Sequence, residues 1–365
     1  MSARLILDSL EIKNFRGLHD VAIKKLGRAN LIVGRNNVGK TSVIEALRLY
    51  ARPGDPDVLI DLLQLRDEID PSILRERQPR AGGGMIAYST APFPYESLFY
   101  GRPASPGATS PIWIGPVGHA EQTLSIEPIE HEDDGDYSLT LIFKRGEASH
   151  GIPLDDAAAI QRPNNRRRAH SNELAKKNIN CLYIDPSGLA ASELAALWDD
   201  TALTPNEQDV ISSLKLLAPS AAALHFRHNE SPDRPVPFVR LDGEATPVPL
   251  RSLGDGISRA LGIVLALVNA KGGFLLVDEI ENGIHYASQA DLWRLIFRVA
   301  SRLDVQVFAT THSSDCIAAF QLAADEYKGE EGVLIRLARR GDRILASIFD
   351  EREMQIVIDS EMEVR

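Results

Sequence analysis

Hydrophobic positions in this chain fall into short runs, alternating pairs and helical stripes. Leu31 to Val33 form a brief apolar run, and Val43, Ala46, Leu47 and Tyr50 then recur at helical spacing. Residues 31–50 therefore predict a strand, a glycine-bounded turn and a helix with one face to bury. Upstream, Leu10 and Ile12 alternate with charged neighbours and Phe15 precedes Gly17, predicting an antiparallel hairpin at a sheet edge. Segments 122–126 and 137–144 alternate as two paired strands around the acidic tip 131–136. Segment 178–185 predicts a buried strand, followed by helices at 192–198 and about 206–217. Segments 238–241 and 246–250 flank Asp242-Gly243 as a hairpin, and Pro247 and Pro249 restrict its second arm to an edge. The apolar run 274–278, which ends in Asp278, has the composition of a buried parallel strand, and 305–309 reads as a further strand. The stretch 260–268 is apolar on every side and predicts a deeply buried helix. In the tail, 332–337 and 343–349 read as strands and 354–358 as a short helix. The Pro-, Gly- and Arg-rich segment 52–118 reads as irregular. No long heptad repeat is present, so no coiled-coil arm is expected.

Composition narrows the partners. The 365 residues are 44% hydrophobic and 25% charged, which suits a globular chain of two or three domain-sized pieces. Acidic residues number 51 against 40 Lys and Arg, a formal charge of −11 that argues against a broadly basic nucleic-acid surface. Any DNA contact is then local. The concentrated basic stretch is 155–177, with Arg162, Arg166, Arg167, Arg168, Lys176 and Lys177. It reads equally as a patch for phosphate backbone or an acidic partner and as a solvated loop. No aromatic residues interleave it to stack bases. Cys181 and Cys316 read as two inert core thiols in a reducing interior. With no secretory signal and no membrane-length apolar run, the expectation is a cytoplasmic protein without a membrane partner.

Chemistry concentrates at four places. Gly34-Arg35-Asn36-Asn37-Val38-Gly39-Lys40-Thr41-Ser42 matches the phosphate-loop pattern between the predicted strand and helix. Gly34 and Gly39 let backbone amides curl round phosphates, Lys40 reaches the β and γ groups, and Thr41 offers a hydroxyl to Mg²⁺. Asp278 and Glu279 end an apolar strand, where the first can hold the Mg²⁺ shell and the second can accept a proton from attacking water. His312 is expected one strand over, at another carboxyl end, able to hydrogen-bond the γ-phosphate or orient water. Leu253-Gly254-Asp255-Gly256 opens the buried helix as a second anion site without its own lysine, which suggests that a partner copy closes over ATP. Gln64, Gln78 and Gln122 are open alternatives for a metal-sensing glutamine. His285 is the weaker histidine, expected nearer a subunit interface. The acidic tip 131–136 lacks calcium-loop spacing and reads as a solvated turn.

Taken in order, LEIKNFRGL, GRNNVGKTS, SLGDGISR, LLVDEIENGIH and TTHSSD resemble the ABC-type AAA family ATPases of the RecF, SMC and OLD group. The resemblance implies an α/β ABC-type P-loop ATPase head, with a mixed sheet core, an antiparallel β subdomain and a helical insert. Its expected pieces are an N-terminal ATPase half (1–145), an insert (146–247), a C-terminal ATPase half (248–318) and a short α/β extension (319–365). It implies ATP-driven head-to-head dimerisation and Mg²⁺-dependent hydrolysis. Lys40 and Thr41 carry over as phosphate-loop residues, Asp278 as the metal-side acid, Glu279 as the catalytic base and His312 as the switch histidine. Gly254 stands where the family signature has a serine, unless Ser252 or Ser258 substitutes. The guanine-reading Asn-Lys-x-Asp is absent, so ATP is the expected nucleotide. Many OLD relatives carry a fused TOPRIM nuclease; residues 313–365 are too few for one, so a nuclease is expected as a separate chain. The leading functional expectation is an ATPase dimer that switches a DNA-directed or antiphage effector. The alternatives are a RecF-like repair ATPase that grips DNA through 162–177, and a nucleotide-binding scaffold with little turnover.

Overall fold

The structure is a computed structural model that describes residues 5–74, 92–133, 136–155, 160, 172–228, 235–327 and 332–349. The chain begins with the expected hairpin, β1 (Leu10–Phe15) and β2 (Leu18–Ile23), paired antiparallel. It continues into β3 (Ala29–Val33), the phosphate loop and α1 (Lys40–Ala51). Segment 52–118, read as irregular, contains α2 (Pro56–Gln64) and β4 (Ile112–Gly115). Asp55 starts α2 by accepting the Asp57 N–H at 3.0 Å, and Pro56 fills the first helical position, where a missing N–H costs nothing. The expected strand pair is β5 (Leu124–Asp133) and β6 (Asp136–Arg145), followed by β7 (Ala148–Pro153). Together these strands form an antiparallel sheet in the order β2-β1-β4-β5-β6-β7.

The second half opens with β8 (Cys181–Ile184), α3 (Ala191–Thr201) and α4 (Glu207–Leu217). A small sheet follows, β9 (Ala221–His228), β10 (Pro235–Leu241) and β11 (Val248–Pro249), in the order β11-β10-β9. The proline-bearing arm is at its edge, as expected, while β9 on the other side was not anticipated. Next come α5 (Asp255–Asn269), β12 (Phe274–Val277), α6 (Tyr286–Leu303), β13 (Gln306–Thr311) and α7 (Ser314–Glu326). The last described elements are β14 (Gly332–Arg340) and β15 (Arg343–Phe349). The central sheet runs β15-β14-β3-β13-β12-β8 and is parallel except for β15. Within it β14, from the tail, flanks the phosphate-loop strand on the side opposite β13. The expected short helix at 354–358 lies outside the described residues.

Both faces of this sheet are buried, and strand alternation sorts its side chains into two cores. Leu31, Val33, Leu275, Val277, Val307 and Ala309 pack with α3 to α7. Ile32, Phe274, Leu276, Phe308, Val333 and Ile335 pack with α1, α2 and the antiparallel sheet. The mixed core with an antiparallel β subdomain is therefore present as expected. Two burial expectations need correction. Helix α1 is buried almost all round, because the antiparallel sheet and α2 cover what a single stripe would leave open. Strand β8 is an edge strand, and Cys181, Leu182 and Tyr183 are only half-buried. Among the described residues no helix is long and apolar enough to cross a membrane.

Buried amides pin the strands in register. Gln306, fully buried, donates to the carbonyls of Leu7 (2.7 Å) and Gly27 (2.9 Å) and accepts the Leu7 N–H at 3.0 Å. Asn30 bridges Gly27 to the carbonyl of Val307 in the same way. Replacing Gln306 with Ala strands the buried Leu7 N–H and carbonyl, each a loss of the order of 1 kcal/mol, while the Gly27 carbonyl keeps its bond from Asn30. Gln306→Ala is expected to lower unfolding free energy by about 2 kcal/mol in urea titration, and an unchanged midpoint would refute this pinning role.

Candidate nucleotide site

The parallel arrangement sends the carboxyl ends of β3, β13 and β12 to one side, where open α/β sheets hold their ligands. On β3 the chain turns at Gly34, at φ +148°, where a Cβ would stand 2.4 Å from the Leu337 carbonyl of β14. Gly39, at φ +89°, starts α1 without a side-chain cap, so the first-turn amides are left for an anion. Lys40, only 9% exposed, folds its ammonium back to donate to the carbonyls of Gly34 (2.8 Å) and Arg35 (3.2 Å). Burial pushes its pKa below the ordinary 10.5, against the opposing pull of Asp278, Glu279 and Glu281. Among the described residues the amine thus sits near carboxylates without a direct ion pair, bonded to its own loop.

Thr41 donates to Asp278 Oδ2 at 2.8 Å. Asp278, 3% exposed, accepts the Thr310 hydroxyl on its other oxygen. That hydroxyl in turn accepts the Glu279 N–H at 2.8 Å. Glu279 sits at φ +49°, a conformation that non-glycine residues adopt sparingly and that clusters at functional sites. Its Oε2 accepts from the Asn282 amide at 2.8 Å. The His312 ring Nδ1 lies 3.8 Å from Glu279 and 3.3 Å from Glu281. The expected group of Lys40, Thr41, Asp278, Glu279 and His312 is therefore gathered on one side of the sheet.

Leu253, Gly254, Asp255 and Gly256 are elsewhere. They start α5 against the turn at Gly283, where a Cβ on Gly256 would stand 2.3 Å from the Gly283 carbonyl. Ser252 spends its hydroxyl on the Pro249 carbonyl at 2.5 Å, while Ser258 lines a cleft of about 750 Å³ with Arg259, Asn282 and Gly283. Arg259 ties this helix start to the acid-bearing turn, donating to the carbonyls of Asp185 (2.5 Å), Asp278 (2.8 Å) and Glu279 (3.1 Å).

Of the glutamine alternatives, Gln64 is exposed at the end of α2 and lines a cleft of about 580 Å³ with Arg48, Tyr183 and Asp185. Gln122 is exposed in a short turn, and Gln78 lies outside the described residues. Neither described glutamine hydrogen-bonds the acids among the described residues, so the metal-sensing assignment finds no support there. Arg162, Arg166, Arg167 and Arg168 are also outside the described residues. Lys176 pairs with Glu173, and Lys177 donates to the Arg145 carbonyl at 3.3 Å. His285 caps α6, accepting the Ala287 N–H at 3.3 Å. Burial pushes both Cys181 and Cys316 thiols up to about 12; Cys316 is the core thiol expected, whereas Cys181 sits half-buried on the edge strand.

Several site residues escaped the sequence reading. Thr310, Glu281, Asn282 and Arg259 hold Asp278, Glu279 and His312. Arg66 forks onto Glu45 at 2.8 and 3.0 Å and reaches the Ser42 hydroxyl at 3.3 Å. Glu45, 2% exposed, lies 2.7 Å from Arg16, and Arg16 and Arg102 each bond Glu68 at 2.7 Å. The residues of this ladder are too scattered in sequence to form a motif.

The donor set fits Mg²⁺. A hydroxyl and a carboxylate meet at hydrogen-bond distance beside the phosphate loop, and this ion takes one or two protein oxygens with phosphate oxygens and water completing its shell.

A sheet that converges a phosphate loop, an acid pair and a histidine, backed by an antiparallel sheet, has the architecture of an ABC-type P-loop ATPase. Residues 29–316, well over half of the chain, match the family model described as "AAA domain, putative AbiEii toxin, Type IV TA system", and the chain belongs to that family. It is 23% identical over 332 residues to an ATP/GTP phosphatase of Helicobacter pylori, covering 86% of each chain. It is 34% identical over 96 residues to the uncharacterised protein MJECL11 of Methanocaldococcus jannaschii, covering 26% of this chain and 83% of that one. Among solved structures it is similar to an Smc head bound to the C-terminal winged-helix domain of ScpA, at TM-score 0.49 and 14% identity, covering 96% and 99%. It is also similar to the SMC head domain of Thermotoga maritima, at TM-score 0.44 and 13% identity, covering 94% and 99%.

Because burial is the largest influence on Lys40, its charge costs the fold stability. Lys40→Met is expected to raise unfolding free energy by about 1 kcal/mol while abolishing nucleotide binding. The gain is full below the lowered folded-state pKa, where the wild-type amine is charged in both states. It fades as pH rises through the lowered folded-state pKa toward 10.5, and thermal melts from pH 7 to 10 check the sign.

Proposed function

We propose that this protein is a Mg²⁺-dependent ATPase that closes head to head on ATP and switches a DNA-directed or antiphage effector, such as a nuclease, on a separate chain. The observation that carries the hydrolytic part is the meeting of Lys40, Thr41, Asp278, Glu279 and His312 at adjacent strand ends. Backbone amides from 34–42 cradle the phosphates, and Lys40 leaves its own carbonyls to reach the β and γ groups. Thr41 and Asp278 hold the cation, which when bound offsets charge on the phosphate oxygens. Glu279 accepts the proton of the attacking water, with Asn282 fixing one carboxylate oxygen and leaving the other for that water. His312 hydrogen-bonds the γ-phosphate and reports its loss. Hydrolysis is further supported by similarity to a protein named as an ATP/GTP phosphatase.

The dimer is supported by the separate position of 253–256, a glycine-bearing helix start that packs at the Gly283 turn. A second copy brings that start to the nucleotide. The effector role is supported by the family description, which names a putative toxin of a Type IV toxin–antitoxin system.

Glu279→Gln tests the mechanism. It is expected to cut phosphate release by about 100-fold or more and to accumulate an ATP-held dimer on size-exclusion chromatography. Wild-type turnover in the variant, or a species that stays monomeric with ATP, would sink the reading. Affinity capture of the Glu279→Gln dimer from its native host, with mass spectrometry, tests the separate effector.

A further inference from the structure

We infer that Glu281 is the positioning residue for His312: it takes the ring Nδ1–H and turns Nε2 outward toward the nucleotide. This rests on the reading of His312 as the phosphate-facing histidine. Two carboxylates flank that ring, and the nearer is Glu281, at 3.3 Å against 3.8 Å for Glu279. Glu281 also holds the backbone, because its Oε1 accepts the His312 N–H at 3.1 Å. One oxygen thus binds the start of the loop after β13 and faces the Nδ1 of the ring carried there. Glu279 is engaged elsewhere, with Asn282 on its Oε2.

Burial separates the two acids further. The Glu281 side chain is 8% exposed, against 36% for Glu279 and 51% for the His312 ring. A half-exposed imidazole on a nearly buried carboxylate has one nitrogen held in the protein and one facing out. An imidazole's tautomer is set by the hydrogen bond its other nitrogen makes. The turn that aims Glu281 is itself fastened. The Ile280 N–H donates to the Thr310 carbonyl at 3.1 Å, and the Ile284 N–H donates to the Glu281 carbonyl at 2.9 Å. Glu281 Oε2 is buried with no partner among the described residues. Such an oxygen is costly, and a carboxylate kept despite that cost is better explained by its bond to His312 than by stability.

The experiment uses the full chain and two readouts. In long-range ¹H–¹⁵N spectra at pH 8, with His312 assigned by its loss in His312→Gln, the wild-type ring is expected as the Nδ1–H tautomer. Glu281→Ala is expected to convert it to Nε2–H or a mixture, while Glu281→Gln, which keeps an acceptor oxygen, retains Nδ1–H. In turnover assays Glu281→Ala is expected to lower kcat about 10- to 100-fold with ATP affinity within about twofold of wild type, and Glu281→Gln to restore most of the loss. A tautomer unaffected by Glu281→Ala overturns the inference whether or not the protein hydrolyses ATP. Equal kcat loss in the Ala and Gln variants also overturns it, since the acceptor would then be irrelevant. Absence of wild-type turnover would instead count against the ATPase reading and leave the spectral test standing.

Discussion

A hydrogen bond of 2.8 Å between Thr41 and Asp278, spanning 237 residues of sequence, is the contact on which the rest of the site depends. It exists because β3, β13 and β12 lie side by side and parallel, so segments from distant parts of the chain finish at the same level. A parallel sheet of this kind is stable only when covered on both faces. The antiparallel sheet with α1 and α2 supplies one cover, and the helices around α5 supply the other. The nucleotide site is therefore a consequence of how both cores close, and Gln306 and Asn30 fix the register that brings the strand ends level.

The motif residues were readable because their chemistry is local. A glycine-bounded loop between strand and helix, and acids ending an apolar run, announce themselves within ten residues. What escaped depends on contacts that no local pattern records. Glu45 and Arg48 look like the solvated face of α1, yet both are buried, because Arg66 and Arg16 come to the first and Asp61 and Tyr183 to the second. β8 has the apolar pattern of an inner strand and is an edge, since nothing in its own residues says how many neighbours it has. Two misses had usable signals. Asp55-Pro56 is an N-cap followed by a helix-starting proline, masked by the proline-rich composition around it. Leu292, Leu295, Ile296, Val299 and Leu303 repeat at helical spacing and line the buried face of α6.

The charges around α1 serve geometry more than stability. Burial raises the Glu45 pKa despite the opposing charges of Arg16 and Arg66, so the carboxylate carries a desolvation cost that its partners offset only in part. Buried pairs of this type seldom add net stability over apolar packing, but removing one partner is expensive. The ladder from Arg102 through Glu68, Arg16 and Glu45 to Arg66 therefore allows one docking of α2 and the hairpin against the phosphate-loop helix. Its last rung ends on Ser42, one residue beyond the hydroxyl that meets Asp278. Position, rather than a strong attraction, is what this arrangement delivers to the loop.

Arg259 makes the corresponding connection on the other side. One guanidinium binds the carbonyls of Asp185, Asp278 and Glu279, so the start of α5 is fastened to the ends of both β8 and β12. Burial holds its pKa below the ordinary arginine value, and its Nε finds no acceptor among the described residues, so the connection is kept at an energetic cost. Gly256 adds a close approach to the Gly283 carbonyl that no side chain would permit. Close-packed, hydrogen-bonded contacts of this kind transmit displacement instead of absorbing it. The 253–256 helix start is held in this way to the backbone of Asp278, Glu279 and Gly283. The phosphate-loop side and the 253–256 helix start, although they occupy separate places, are thus joined through the Asp278-Glu279 turn.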